Sequence, residues 1–481
     1  MLKPTGPKQS TATEEQSSWN EYVEDFRRAG HEVVEWIAEY LADPGKHPVV
    51  AAVKPGELLD NLPRFAPAQG ESFDAILRDF DRVIMPAVTQ WNHPRFFAYF
   101  ACTGSTPAIL GDMLAAALNT NGLHWKTSPA IAELEMVALD WLRQWIGLPE
   151  GWLGIAYETA SESNMHALAA AREMIAPEMR VKGSQPHLVL YTSEQSHSSV
   201  EKGAITIGLG QGNVRRVPVD DQFRMRPDAL AKMIQQDLAA GKKPCSIVAT
   251  VGTTSTASID PVPQIADLAE KYGVWLHIDA AYAGAAAILP ECRHIMNGVE
   301  RAHSFVVNTH KWLLTPIGLS AFYTRRPDIL RQAFSIEPPG YLRTQQDPRA
   351  HDLMDYGVAL GHRFRALKLW FVMRYFGQEK FQAVLRSHIQ WAQQFAALME
   401  SHPGFERVAP VSLSVVCFRY KGSDEQNKAI LDKINSTGRV FLISTVLHGK
   451  LVLRFTIGNL ATTWDDVQEA WELIQEAAKE I

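Results

Sequence analysis

Apolar positions change their spacing several times along the chain, and each change marks a new kind of element. From residue 19 to about 40, Phe26, Val33, Val34, Ile37 and then Leu41 recur at helical spacing, and a second helical stretch covers 73–84 beyond the proline-rich link 55–67. Helices this few cannot bury their own apolar stripe, so the segment reads as an arm that packs on a partner subunit or on the next domain. Ser128-Pro129 gives a helix start, continued by Ile131, Leu134, Val137, Leu142 and Ile146. Beyond it the period changes. Short β-branched runs at 187–192, 246–251, 274–279, 304–309 and 319–324 alternate with helical segments such as 227–239 and 261–272. Apolar strands separated by helices predict an α/β fold with a mostly parallel sheet covered on both faces.

Helices over 363–376 and 378–399 then lead to strands near 413–420 and 450–457 and a closing helix over 464–479. The expected organisation is an N-terminal helical arm over 1–90, with 1–18 disordered, a large α/β domain over 91–377 and a small C-terminal α+β domain over 378–481. No internal repeat or low-complexity tract interrupts it.

Composition narrows the class. With 481 residues, 46% apolar and 21% charged, the chain is an ordinary globular enzyme of two or three domains. The net charge of −6 and the scattered Lys and Arg speak against nucleic acid as a partner. Cys102, Cys245, Cys292 and Cys417 are far apart and form no C-x-x-C unit, which argues against zinc or a disulfide framework and predicts core thiols in a reducing cytoplasm. The polar first 18 residues have no apolar signal core, and no run is apolar for the length of a membrane span, so the expectation is a soluble, unsecreted protein.

The chemistry sits at strand ends. Thr254, Asp279 and Lys311 each lie at or just after one, where open parallel sheets bind ligands. A lysine and an aspartate in one such crevice are what pyridoxal phosphate (PLP) needs, the amine to link it as an imine and the carboxylate to hold its ring nitrogen protonated, which makes the ring an electron sink. A lone aspartate after a strand is more often a cap, but Asp279 is followed by Ala280, Ala281, Ala283, Gly284 and Ala285, small residues that leave space for a flat ring. Lys311 follows the apolar Phe305-Val306-Val307 and stands between His310 and Trp312, unlike a surface lysine. Thr159-Ala160-Ser161-Glu162-Ser163, opening a helix over 164–174, offers amides and hydroxyls to a phosphate. His197 emerges on the same rim, where an imidazole can stack on a ring and move protons. Gly208-Leu209-Gly210-Gln211-Gly212 opens no helix and reads as a loop, and no H-E-x-x-H, G-x-S-x-G or P-loop competes, so no metal is expected.

These segments, together with Pro94-Arg95-Phe96-Phe97-Ala98-Tyr99-Phe100, Arg363-Phe364-Arg365-Ala366-Leu367-Lys368-Leu369-Trp370 and Leu451-Val452-Leu453-Arg454-Phe455, make the chain resemble the PLP-dependent group II amino-acid decarboxylases, particularly the aromatic L-amino-acid decarboxylases, from about Tyr22 to the end. The resemblance implies PLP fold type I, the aspartate-aminotransferase-like fold, in a homodimer whose arms wrap the partner and whose active sites are shared. It implies Lys311 as the Schiff-base lysine, Asp279 as the pyridinium partner and His197 as the ring-stacking histidine. Thr254 and Ala281 would support Asp279 and the ring, Thr159, Ala160, Ser161 and Asn308 would bind the phosphate, and His310 would sit close to the imine. It places Trp91, Tyr99 and Phe100 around the substrate side chain, with Leu123 from the other subunit.

Two departures bear on activity. Counting back from Leu360-Gly361, Leu353 stands where the family has a loop tyrosine that protonates the product carbon, in a somewhat shorter loop between Tyr341 and Gly361, with Tyr356 nearby but out of register. Leu123 and Ala101-Cys102 also replace more usual residues. The expected activity is therefore decarboxylation of an aromatic amino acid (Trp, Tyr, Phe or DOPA) to the amine. The alternatives are an aldehyde synthase, should O2 intercept before protonation, or a group II decarboxylase of an acidic or basic amino acid, for which only Arg95 and His124 offer charge partners.

Overall fold

Two sheets organise the computed structural model, which describes residues 11–183, 187–336 and 350–481. The chain divides into two compact units, Met1–His93 and Pro94–Ile481. In the first, a helix spans Thr11–Ala42, and Phe73–Asp79 continues into a wider turn, Phe80–Ile84. The helix starts earlier than the expected onset near 19, because Ala12, Glu14, Glu15 and Gln16 are strong helix formers although no apolar stripe marks them. Trp36 packs edge-on against Phe80 at 5.2 Å, and the Tyr40 hydroxyl donates to Gln90 Oε1 at 2.8 Å.

In the second unit the larger sheet comprises β1 (Leu153–Tyr157), β2 (Leu188–Ser193), β3 (Val214–Val217), β4 (Lys243–Thr250), β5 (Trp275–Asp279), β6 (Ser304–Asn308) and β7 (Ser320–Thr324), in the order β1-β7-β6-β5-β4-β2-β3. Only β7 runs against its neighbours. Successive side chains divide between two cores. Tyr191, Ile247, Ala249, Ile278, Phe305 and Val307 pack with Leu139, Leu142, Leu230, Ile234 and Ile265 on one face, and Leu190, Val248, Val306 and Phe322 pack with Ala167, Leu168, Ala171, Val200 and Leu330 on the other. Burial on both faces is why these strands read as continuous apolar runs.

The smaller sheet, β8 (Phe405–Arg407), β9 (Val415–Tyr420), β10 (Ile443–Leu447) and β11 (Lys450–Thr456), is antiparallel in the order β10-β11-β9-β8. Helices Asp424–Ser436 and Trp464–Lys479 cover it, each opened by a capping box from Ser423 or Thr463. Both sheets lie in the second unit, and the span Ala366–Glu400 is two helices that meet at Gly377 (φ 64°, ψ 170°), between the expected helices 363–376 and 378–399, in a backbone state that glycine adopts readily. Pro129 opens its helix as expected, but Ser128 makes no side-chain cap bond. Cys245 and Cys417 are buried and Cys102 and Cys292 half-buried, all free. Among the described residues no helix is long and apolar enough to cross a membrane.

Candidate active site

The register pairs Thr250 with Asp279 and Asp279 with Val306, so the carboxyl ends of β4, β5 and β6 reach one rim of the sheet. A cavity of about 210 Å³ opens there. Thr159, Ala160 and Ser161 line it from the start of the helix Ala160–Ile175, His197 and Thr254 from the loops after β2 and β4, Asp279 and Ala281 from the end of β5, and Asn308, His310 and Lys311 from the end of β6. Every expected cofactor residue is therefore on one cavity. Phe100 joins them, stacked on Tyr282 at 3.9 Å.

At one end the helix start faces the cavity. Thr159 Oγ1 accepts from the Glu162 amide at 3.4 Å, so the helix begins at Ala160, four residues before the expected onset. Asn308 is buried and its Oδ1 has no hydrogen-bond partner. The backbone N–H groups of a helix start and the amide side chain of Asn308, on one cavity wall with the Thr159 and Ser161 hydroxyls, are a donor set that fits a phosphate. His310 Nδ1 accepts from the Leu319 amide at 3.2 Å, and burial lowers its pKa to about 4, so it stays neutral with its proton on Nε2.

At the other end Asp279 is 5% exposed, with Oδ1 accepting from the Ala281 amide at 3.1 Å and Oδ2 from Asn164 Nδ2 at 2.9 Å. The polarity of the surrounding network follows from its Asp279 end. A carboxylate can only accept, so Asn164 turns its Nδ2 to Asp279 and its Oδ1 to His277 Nε2. This places the His277 proton on Nε2 and makes Nδ1 the acceptor from the Ser304 hydroxyl at 2.8 Å, while Trp275 Nε1 donates to Ser304 Oγ at 2.9 Å. His277 Nε2 thus donates to Asn164 Oδ1 at 2.8 Å, and Asn164 Nδ2 also reaches Ser199 Oγ at 3.0 Å. His197 Nδ1 in turn accepts from the Ser199 amide at 3.2 Å and meets Ser199 Oγ at 2.8 Å, so its proton sits on Nε2. Burial lowers the His197 pKa, opposed by Asp279, which keeps the ring neutral although one edge is solvent-exposed. Lys311 lies in the single turn Thr309–Trp312 after β6. Burial lowers its pKa as well, against the Asp279 carboxylate.

The substrate residues are less well gathered. Phe100 lines the cavity, whereas Tyr99 is exposed in a left-handed backbone (φ 49°) and Leu123 is half-buried, its carbonyl accepting from the Met354 amide at 3.2 Å. Trp91 belongs to the first unit. Leu353 is buried in an apolar cluster with Ile131, Phe364 and Leu367 and is not among the residues that line the cavity. Tyr356 is buried against Tyr157, whose hydroxyl donates to its carbonyl, and Tyr341 lies outside the described residues. Asn164, Ser199, Thr250, Gly252 and Tyr282 were missed. For Asn164 a signal existed, a polar side chain on the buried face of an alanine-rich helix.

A mostly parallel sheet with a lysine, a carboxylate and an imidazole on one cavity at its rim, beside a capped helix start, defines a PLP enzyme of fold type I. The chain belongs to the pyridoxal-dependent decarboxylase family, whose conserved-domain model matches residues 55–421, and it is accordingly a carboxy-lyase. It is 42% identical over 470 residues, 94% of this chain and 96% of the relative, to the aromatic-L-amino-acid decarboxylase of Bos taurus. Among solved structures it is similar to Oryza sativa TDC with PLP and tryptamine (TM-score 0.92, 36% identity, 95% of this chain and 98% of that one). It is also similar to Rhodiola rosea 4-hydroxyphenylacetaldehyde synthase (TM-score 0.88, 31% identity, 99% of this chain and 100% of that one).

Proposed function

We propose that this protein converts an aromatic L-amino acid to its amine and CO2, with Lys311, Asp279 and His197 as the catalytic residues. The observation that carries the reading is the meeting of these three side chains on one cavity walled by the Phe100–Tyr282 stack. Bound PLP supplies an electron sink for the pair left when the carboxylate departs. Lys311, whose burial favours the free amine, would hold the cofactor through its ε-amino group. Asp279, oriented by Asn164 and the Ala281 amide, keeps a proton on the ring nitrogen. Thr159, Ala160, Ser161 and Asn308 hold the phosphate, and Thr254, Ala281 and His310 complete the cofactor wall. His197 carries a proton on Nε2, positioned for delivery to Cα.

Phe100 supports an aromatic side chain, with Trp91, Tyr99 and Leu123 contributing once the site is complete. Of the two charge partners the sequence offered an acidic or basic substrate, Arg95 pairs with Asp466 and Glu469 at 3.2 and 2.9 Å, and His124 Nδ1 is 3.4 Å from Asp352. Aldehyde formation is a related option on this scaffold, without support from Leu353. We further infer a homodimer, because the helix Thr106–Leu118 exposes Leu110, Met113, Leu114 and Leu118, and the arm exposes Trp19, Tyr22 and Phe26, and a cytoplasmic location, which the four free cysteines support. The division into 1–90, 91–377 and 378–481 is kept as a functional one.

The test is a panel of aromatic, acidic and basic amino acids assayed for CO2, amine and aldehyde. Amine from aromatic substrates is expected, and Lys311→Ala should abolish it while leaving the fold intact. Turnover in that variant, or a preference for charged substrates, would overturn the reading.

A further inference from the structure

Arg454, on β11, is 2% exposed, and among the described residues no carboxylate pairs with it. Its Nε donates to the Ser255 carbonyl at 3.1 Å and its Nη1 to the Tyr99 carbonyl at 2.5 Å, while Nη2 has no hydrogen-bond partner. A full charge buried without an opposite one is costly, and a guanidinium cannot escape the cost by losing its proton. The guanidinium carbon lies 4.5 Å from the centre of the Phe100 ring, and Lys311 Nζ lies 5.1 Å from the same centre. One ring thus carries two cationic side chains, and only one of them can titrate.

We propose that Arg454 is a positioning residue for the reaction at Lys311: across the shared Phe100 ring it is a fixed cation that holds the lysine as the free amine, and its fork pins the Tyr99 and Ser255 carbonyls of the adjoining wall. The inference rests on the role proposed for Lys311. Like charges in proximity favour the neutral form of whichever group can lose a proton, and the neutral amine is the form that attacks a carbonyl carbon. The groups around Lys311 divide by sign. Burial is the largest influence and favours the amine, Asp279 at the end of β5 and Cys102 beyond Phe100 favour the ammonium, and Arg454 adds a smaller push toward the amine. His197 and His310 are held toward neutrality by their own burial. The Tyr99 bond holds a residue at φ 49°, and Ser255 follows Thr254, which lines the cavity.

The experiment mixes apoenzyme with PLP across a pH series and follows the visible absorbance of lysine-bound cofactor in wild type, Arg454→Met, Arg454→Lys and Lys311→Ala. Arg454→Met should raise the midpoint of the pH dependence of uptake by about one unit. Arg454→Lys should place the midpoint between those of wild type and Arg454→Met, since a buried ammonium, unlike a guanidinium, can lose its proton, and should leave KM for the amino acid raised severalfold, since an ammonium lacks the fork that spans both carbonyls. A wild-type midpoint in Arg454→Met, or a wild-type KM in Arg454→Lys, would overturn the proposal. Should Arg454→Met fail to fold by circular dichroism, Arg454→Gln takes its place under the same criterion. If wild type and Lys311→Ala behave alike, it is the role of Lys311 that fails, whatever Arg454 does.

Discussion

Asn164→Asp would change one atom of the side chain and reverse what Asp279 meets. In the native site Asn164 Nδ2 donates to Asp279 Oδ2 at 2.9 Å, a charge-assisted bond of about 1.5–3 kcal/mol. The substitution replaces that donor with a second carboxylate whose charge centre is about 4 Å away, a repulsion of about 4 kcal/mol at the effective dielectric of protein sites. The pair can escape only by sharing a proton, after which Asp279 is no longer a full anion for the ring nitrogen. Losing one charge-assisted contact of the size above should weaken PLP by about one to two orders of magnitude. The assay titrates apoenzyme with PLP by visible absorbance, alongside turnover and a melting curve that confirms folding. Cofactor affinity within about threefold of wild type, with full turnover, would refute the claim that Asn164 orients a carboxylate against the ring.

Three further outcomes are expected. Burial lowers the pKa of His166 to about 3 and of His277, His303, His310 and His388 to about 4, so the folded protein refuses protons that the unfolded chain binds. The stability these groups contribute is complete above their unfolded value near 6.5 and is lost as pH falls toward 4, at about 6 kcal/mol per unit near pH 5 for five such groups; uptake of fewer than two protons on denaturation there would contradict it. Leu353→Tyr should leave the ratio of amine to aldehyde unchanged and lower stability by about 1–3 kcal/mol through overpacking against Ile131, Phe364 and Leu367; a change of product would restore a role for that position. Gly252→Ala, at φ +92° with its new Cβ only 2.5 Å from Ala283 Cβ, should cost about 2–5 kcal/mol, and an unchanged melting temperature would contradict the described approach.

What could be read from one sequence, and what could not, follows from how far each constraint reaches. β2, β4, β5, β6 and β7 were legible because burial on both faces writes them as apolar runs, and Lys311 and Asp279 were legible because each directly follows such a run. β1 is interrupted by Gly154 at its second position, whereas β3, with two arginines among its four residues, and the three-residue β8 have too few apolar positions to stand out. The reversed direction of β7 leaves no local trace, since direction is set by how the connection crosses the sheet. Leu353 shows the limit of counting along a loop: only its packing against Ile131, Phe364 and Leu367 reveals which way the side chain points.

Asn164 eluded the sequence for a reason that bears on the chemistry. Its partners Ser199, His277 and Asp279 are 35, 113 and 115 residues away, so the bonds that define its role exist only after β2 and β5 have assembled over its helix. Once formed, the network is one-directional, because a carboxylate at its Asp279 end can only accept and the Trp275 indole at its far end can only donate. Asn164 orders the Asp279 carboxylate and touches Ser199 Oγ, while the Ser199 backbone amide fixes the His197 tautomer. That backbone donor does not depend on the Asn164 side chain, so a change at Asn164 should fall on the ring-nitrogen partner and leave the imidazole proton in place. Losses at Asn164 and Asp279 should therefore be less than additive in a double-mutant cycle.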